Sequence, residues 1–323
     1  MSDSPYDAFD GNVLELDVPS SLANVRVDRA LSLLTGLSRS EANQVIASGA
    51  VSLDGRVVTK SSTVLNEGQR LEARLPLPVA DEVVPDPSVP VDVVHDGGDF
   101  VVVNKAPGQV VHPGAGQREH TLVAGLVARY PRMAEMSREG LCEPQRPGIV
   151  HRLDKGTSGL LVVATTPEGF LHLSSQLRAR TMDRTYLGLV EGHVVEERGI
   201  VDAPIGRSTR TPTIMTVRAD GRPARTGYRV LGRLDTPQRV TLLELKLDTG
   251  RTHQIRVHVA TIGHPVVNDL RYGHRRDRRL GEERFFLHSA TLAFDDPRSG
   301  ERITTHAPLP DDLAPLVEGI SVV

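Results

Sequence analysis

The sequence predicts an α+β protein in two parts. A small N-terminal unit of two short helices and a small sheet precedes a larger unit built on a mixed, mostly antiparallel sheet flanked by helices and loops. Three observations carry this reading. Helix-like and strand-like patterns follow one another irregularly, without the steady alternation of a parallel α/β sheet. Pro76, Pro78, Pro85, Pro87 and Pro90 crowd one short stretch. The 323 residues suffice for two domains, at least one with a large core.

Residues 1–17 are polar and acidic and read as a disordered tail. A compact unit follows at 18–75. Val27, Ala30, Leu31 and Leu34 share one helical face. Ser38 and Glu41 form a capping-box pattern at the start of a second helix, and Gly49 stands where a left-handed stop is expected. Val51–Leu53 and Arg56–Val58 flank Asp54-Gly55, a two-residue hairpin signal, and a third strand is expected near Arg70–Leu75. Residues 76–90 hold too many prolines for a helix or central strand and read as an extended linker.

Residues 91–323 form the second unit. Phe100–Val103, Leu160–Ala164, Tyr186–Val190 and Val240–Leu247 read as strands. Thr121–Tyr130 reads as a helix that stops before Pro131, and Thr166 with Pro167 opens another that runs through Leu177. Thr252 is placed to cap a helix carrying Ile255, Val259 and Ile262, ended by Gly263 and Pro265. Phe285–Phe294 and Arg302–His306 suggest a hairpin.

Apolar residues make up 39% of the chain and the mean hydropathy is −0.21, as expected of a soluble protein. No run reaches the roughly 18 apolar residues of a membrane span. The N-terminus lacks a secretory layout, so a cytoplasmic location is expected. Cys142 is the only cysteine, which excludes an internal disulfide and a multi-cysteine zinc site. The net charge of −3 alone argues against a nucleic-acid partner, but its distribution argues for one. Residues 207–279 hold 16 Lys/Arg against 6 Asp/Glu, an anion-attracting segment, whereas surface ion pairing is the bland alternative.

Chemistry concentrates in residues 151–164, HRLDKGTSGLLVVA. His151, Arg152, Asp154 and Lys155 crowd ahead of a turn and a buried-looking apolar run. Neighbouring cations keep Asp154 ionised, and a positioned carboxylate can act as a nucleophile. A turn aspartate bonding its own backbone is the plain alternative. A second constellation is LDTGRTHQIRVH, 247–258, where Arg251 precedes a helix start and Gln254 and His258 share a side. A third is RTYLGLVEG, 184–192, in a chain with only five Tyr and no Trp. His112, His253, His258 and His288 are poorly spaced for a metal, and no metal is expected.

Residues 18–75, with SRSEANQVIASGAVSLDGRVV, resemble the S4-type (αL) RNA-binding domain, which implies RNA contacts from Arg26, Arg29, Arg39 and Lys60. Over roughly 18–310 the chain resembles the RluA/RluD family of RNA pseudouridine synthases. The resemblance rests on the three constellations, on VVVNKAPGQVVHPGAG (101–116), which departs at Ala106, and on FLHSATLAFDDPRSGE (286–301). It implies the pseudouridine synthase fold and isomerisation of uridine to pseudouridine in structured RNA, with large-subunit (23S) ribosomal RNA expected and transfer RNA the alternative. It implies Asp154 as the catalytic aspartate, Arg251 as its partner, Tyr186 stacked on the flipped base and Ile255 near that base. Arg152 would bind phosphate or fill the space the base vacates, and His151, Lys155 and Gln254 would line the substrate pocket. No cofactor or second substrate is required, because the detached base stays in the pocket, and a monomer is expected. Whether Asp154 attacks the uracil ring or the sugar stays open. Two rivals fit less well. A non-catalytic RNA-binding protein has no need of a buried carboxylate beside phosphates. A carboxylate-nucleophile hydrolase needs a second acid/base, and no paired motif lies near 154.

Overall fold

The structure, a computed structural model, describes residues 9–10, 13–37, 39–75, 82–114, 116–211, 213–273, 277 and 279–320. The chain divides into two compact units between residues 81 and 82.

The first unit comprises β1 (Phe9–Asp10), β2 (Val13–Asp17), α1 (Val27–Thr35), α2 (Arg39–Ala47), β3 (Val51–Leu53), β4 (Arg56–Val57) and β5 (Arg70–Arg74). Its antiparallel sheet runs β1-β2-β5-β3-β4. Asp54 and Gly55, with φ of 50° and 75°, give the left-handed pair that a tight hairpin needs. Val27, Ala30 and Leu31 are fully buried, as the helical face predicts. The expected Ser38 cap lies outside the described residues. The tail reading is corrected at its end. Val13–Asp17 pairs with β5 and buries Leu14 and Leu16, while Glu15 and Asp17 reach Arg70 at 2.9 and 3.4 Å. Those outward acids made a half-buried strand look like a solvated tail.

The second unit comprises β6 (Val93–Asp96), β7 (Phe100–Lys105), α3 (Leu122–Arg129), α4 (Arg132–Arg138), β8 (Ser158–Ala164), α5 (Pro167–Ala179), β9 (Asp183–Glu191), β10 (Arg198–Asp202), β11 (Ile205–Arg207), β12 (Met215–Val217), β13 (Arg225–Leu234), β14 (Val240–Leu247), α6 (Gln254–Thr261), β15 (Leu287–Asp295) and β16 (Arg302–His306). A nine-stranded sheet runs β10-β13-β14-β9-β15-β8-β7-β6, with β16 also on β15. All its pairings are antiparallel except β15 with β8, so the expected mixed, mostly antiparallel α+β sheet is what forms. Period-two alternation splits the core. Val101, Val103, Leu161 and Val163 join one cluster with α3, whereas Phe100, Val102, Leu160 and Val162 join another with Leu173 of α5. Every residue of β8 is buried, which explains its unbroken apolar run.

Two further expectations are corrected. Residues 76–81 of the expected linker lie outside the described residues, but 82–90 belong to the second unit. The Asp86 N–H donates to the Ala124 carbonyl at 3.0 Å, and Val89 is buried against Gly125, where a Cβ would meet the Val89 carbonyl oxygen at 2.9 Å. These prolines shape a docked segment. Thr252 does not cap α6. His253 takes the left-handed conformation, φ 56°, immediately before Gln254, and the Gln254 side chain holds the turn instead. Thr166 does cap α5, accepting from the Gly169 N–H at 3.2 Å. Among the described residues, no helix is long and apolar enough to cross a membrane.

Candidate active site

Asp154 sits in the short loop that feeds β8. The loop turns at once: the Thr157 N–H donates to the Asp154 carbonyl at 3.0 Å. Two buried cations clamp it from behind. Lys105, at the end of β7, is 1% exposed and donates to the carbonyls of Ala106, Gln109 and Lys155 at 2.7, 3.0 and 3.2 Å. Arg284 donates to the Gly156 carbonyl at 2.7 Å and to Ser158 Oγ at 3.0 Å, and pairs with Asp312 at 2.6 Å. Ser158 donates in turn to His288 Nδ1 at 2.9 Å. The loop's carbonyls thus find donors in side chains, as buried backbone requires. Gly159 permits the parallel contact of β8 with β15, since a Cβ there would lie 2.3 Å from the Ser289 carbonyl oxygen.

The partner of Asp154 is Arg256, which corrects the expectation for Arg251. Arg256 Nη1 donates to Asp154 Oδ2 at 3.0 Å. Its other edge grips Asp269 through Nε at 2.6 Å and Nη2 at 2.8 Å. Its guanidinium lies over Phe285, 4.2 Å from the ring centre, and near Tyr272 at 5.1 Å. Arg251 lies in the loop before α6, with Nε turned to the Pro223 carbonyl at 3.1 Å. Arg256, inside the first turns of a helix whose residues 254–259 are all buried, projects inward where Arg251 does not.

Burial alone would raise the Asp154 pKa, but the fields of His253, Arg256 and Arg152 and the Arg256 hydrogen bond outweigh it and hold the carboxyl below its ordinary value. His253 contributes only when protonated. Burial lowers its own pKa, and its Nδ1 accepts from the Tyr272 hydroxyl at 2.7 Å. Near neutral pH the nearby arginines therefore supply the field. Arg256 itself is pushed up, its two carboxylates overcoming burial. Burial and Arg284 lower Lys105 to about 7, against the pull of Asp154. Three carbonyls around one amine match the three hydrogens of the charged form.

Asp154 opens into a cleft of about 510 Å³ lined by Tyr186, Arg184, Leu287, Ile255 and the 247–254 loop, with Arg146, Arg152, Arg178, Arg180 and Arg251 among its cations. Tyr186 is 4% exposed, and burial raises its pKa, so it stays a neutral phenol. Ile255 is buried on the cleft wall. Arg152 Nη1 donates to His112 Nε2 at 2.9 Å, while His112 Nδ1 bonds the Pro113 carbonyl.

Of three expected pocket residues, His151 and Gln254 line the cleft while bonding to the fold around it, and Lys155 does not line it. Gln254 uses its whole amide: Oε1 accepts from Thr249 and the Arg251 N–H, and Nε2 donates to the Arg225 carbonyl and Thr226. Lys155 turns to Glu283 at 2.6 Å and does not line the cleft. His151 Nε2 accepts the Val162 N–H at 3.1 Å and seals the free edge of β8, and burial depresses its pKa to about 3. Gln254 and His258 do meet, as their spacing suggests, at Thr226. In the N-terminal unit Arg26, Arg29, Arg39 and Lys60 are exposed, with Arg26 bidentate on Asp28 at 3.0 Å. No group of three metal-ligating side chains occurs among the described residues. Sequence reasoning missed Arg256, Asp269, Lys105 and Arg284. For Lys105 and Arg256 the signal was a charge among the apolar residues of a strand or helix, which burial tolerates only with partners, whereas Asp269 and Arg284 lie in the loop between α6 and β15 and carried no such signal.

An S4-like unit ahead of a mixed-sheet unit that holds a partnered carboxylate in a cation-lined cleft is the organisation of an RNA-modifying enzyme. The family pattern for RNA pseudouridylate synthase matches residues 99–261 and that for the S4 domain residues 25–71. The chain is 38% identical over 310 residues to an uncharacterized RNA pseudouridine synthase of Bacillus subtilis, covering 96% of this chain and 98% of the relative. It is 39% identical over 316 residues to the ribosomal large subunit pseudouridine synthase D of Nitrosomonas europaea, covering 96% and 88%. The solved human RNA pseudouridylate synthase domain containing 1 superposes with a TM-score of 0.56 at 29% identity, covering 74% of this chain and 91% of that one. The chain belongs to the RNA pseudouridine synthase family. It is an RNA pseudouridine synthase, an isomerase.

Proposed function

We propose that the chain isomerises specific uridines of large-subunit (23S) ribosomal RNA, with Asp154 as the nucleophile. The observation that carries this is the line Asp154–Arg256–Asp269, which keeps one carboxylate ionised and fixed in a cleft rich in arginines. The target uridine flips into the cleft, its ring stacked on Tyr186 and resting against Ile255. Asp154 attacks the uracil ring or the sugar C1′, and the N1–C1′ bond breaks. The detached uracil turns within the cleft, C5 bonds to C1′, and the bond to Asp154 breaks, which returns the free carboxylate. The C5 proton leaves to solvent and N1 regains one, so atoms balance without a cofactor. Arg256 holds the carboxylate, and Arg152 and Arg251 meet phosphates at the rim. Asp248, another carboxylate on the cleft, is tied to Arg225 at 2.9 Å, which disfavours a two-carboxylate hydrolase.

The ribosomal assignment follows the name of the Nitrosomonas relative and the S4 domain, whose Arg29, Arg39 and Lys60 would hold structured RNA by its phosphates. Because the cleft is complete within one chain, the reading is of a monomer acting in the cytoplasm. Tritium release from RNA labelled at uracil C5 tests the chemistry, since a binder or hydrolase releases none. Pseudouridine mapping of total RNA with and without the gene tests the substrate. Loss of sites confined to transfer RNA would contradict the ribosomal assignment.

A further inference from the structure

Three arginines are buried among the described residues: Arg184, Arg256 and Arg284. Arg256 has Asp154 and Asp269, and Arg284 has Asp312. Arg184, 6% exposed, has no carboxylate within ion-pair distance among the described residues. Its Nη2 reaches only the Leu247 carbonyl, at 3.3 Å, and its buried Nε has no hydrogen-bond partner. A guanidinium so placed carries an unmet desolvation penalty, and buried cations are retained where something compensates them.

Arg184 lines the Asp154 cleft. It lies two residues before Tyr186 on β9, so both side chains leave the same face of the strand about 7 Å apart. Gly250 opens the space beside it, since a Cβ there would approach Arg184 Nη1 to 2.9 Å. The side chain is therefore buried by the protein, short of acceptors, and directed to where substrate must lie. The planar fork of arginine fits a phosphate, whose charge offsets the burial. A neutral uracil oxygen would supply an acceptor but no charge.

We infer that Arg184 is the receptor for a backbone phosphate next to the flipped uridine, so that the cleft grips base and phosphate from one strand. Tyr186 takes the ring and Arg184 takes the phosphate that swings in with it. The cation is thus paired only in the complex, and the phosphate sets how deep the nucleotide seats before Asp154. This rests on the Asp154 cleft being the reaction site.

The test uses the full chain and a synthetic large-subunit RNA fragment that it modifies. Single neutral methylphosphonate linkages replace the phosphates 5′ and 3′ of the target uridine, one at a time. In the wild type one of these linkages should lower kcat/KM about tenfold to a hundredfold. Arg184→Met should lose a similar factor, Arg184→Lys less, and Arg184→Met on the neutral linkage should lose no more than either alone. Losses that multiply, or a wild type indifferent to every neutral linkage, overturn the assignment. The second outcome needs no variant, so it stands even if Arg184→Met folds poorly. Asp154→Asn is assayed alongside. If it turns over normally, the cleft reading falls and takes the inference with it. If it is inactive while the losses multiply, only the phosphate assignment falls.

Discussion

Arg256 divides its guanidinium between two carboxylates: one edge is bidentate on buried Asp269, and the remaining Nη1 reaches Asp154 at 3.0 Å. Asp269 is itself fixed by the Arg271 N–H at 3.1 Å. The bidentate grip sets the plane and depth of the guanidinium, leaving one N–H in a defined direction. Asp154 is thereby oriented and kept ionised by a group that does not spend its whole charge on it.

Arg256→Ala should destabilise the fold by about 3–5 kcal/mol, because it leaves buried Asp154 and Asp269 without their cation, and should lower kcat more than Arg251→Ala does. Arg256→Lys should rescue little, since a point charge cannot hold both acids. Arg251→Ala should act mainly on KM and salt dependence, its side chain lying on the rim. Single-turnover kinetics on the three variants checks this. A larger kcat loss at Arg251 than at Arg256 would reverse the assignment.

Lys105 gives opposite pH trends for activity and stability. Its charged form holds the loop carbonyls, so activity should fall as pH rises through about 7. The folded value lies below the ordinary 10.5, so between the two the unfolded chain binds the extra proton. This group therefore makes stability rise with pH over that interval. Lys105→Met should remove both trends, as read by pH–rate profiles and by denaturant melts at several pH values. An alkaline activity limb unchanged in Lys105→Met would assign it to another group.

Gly159→Ala should destabilise the second unit by at least about 3 kcal/mol, from a φ of 106° and a Cβ 2.3 Å from the Ser289 carbonyl oxygen. The clash is with backbone, so no rotamer relieves it. Urea unfolding measures it, and a loss under 1 kcal/mol would mean β8 and β15 part freely.

Removing residues 1–81 should leave the remainder folded and able to turn over a short RNA, with weaker binding to large-subunit RNA and a shallower salt slope. A cut after residue 90 should be worse, because Val89 and Asp86 would be lost from the surface of α3. Melting temperatures and filter binding of the two truncations decide it. Equal stability of both would show that 82–90 is a free linker after all.

Much of this was legible in the sequence. The glycine stops, the Asp54-Gly55 turn, the Thr166 cap and the apolar run of β8 are local signals, and the structure forms those elements. The strands β10 to β13 were not legible: β10 alternates half-buried and exposed residues, and β13 carries Gly227 and Gly232. The position of Asp154 followed from its loop, but its partner did not. Arg251 and Arg256 look alike along the chain. They differ in which side of a left-handed His253 they stand on, and in whether Asp269 waits across the turn. Lys105 and Arg284 act through carbonyls of residues 50 and 128 positions away, a relation that no local pattern encodes.

The most direct test of the central claim is Asp154→Asn, which keeps the size and hydrogen-bonding reach of the side chain while removing the carboxylate proposed as the nucleophile. The wild type and the variant are compared for C5 tritium release and RNA affinity under single-turnover conditions, with folding checked by thermal melting. The account predicts wild-type folding and binding with no release of tritium above the uncatalysed background. Tritium release within tenfold of the wild type would contradict it.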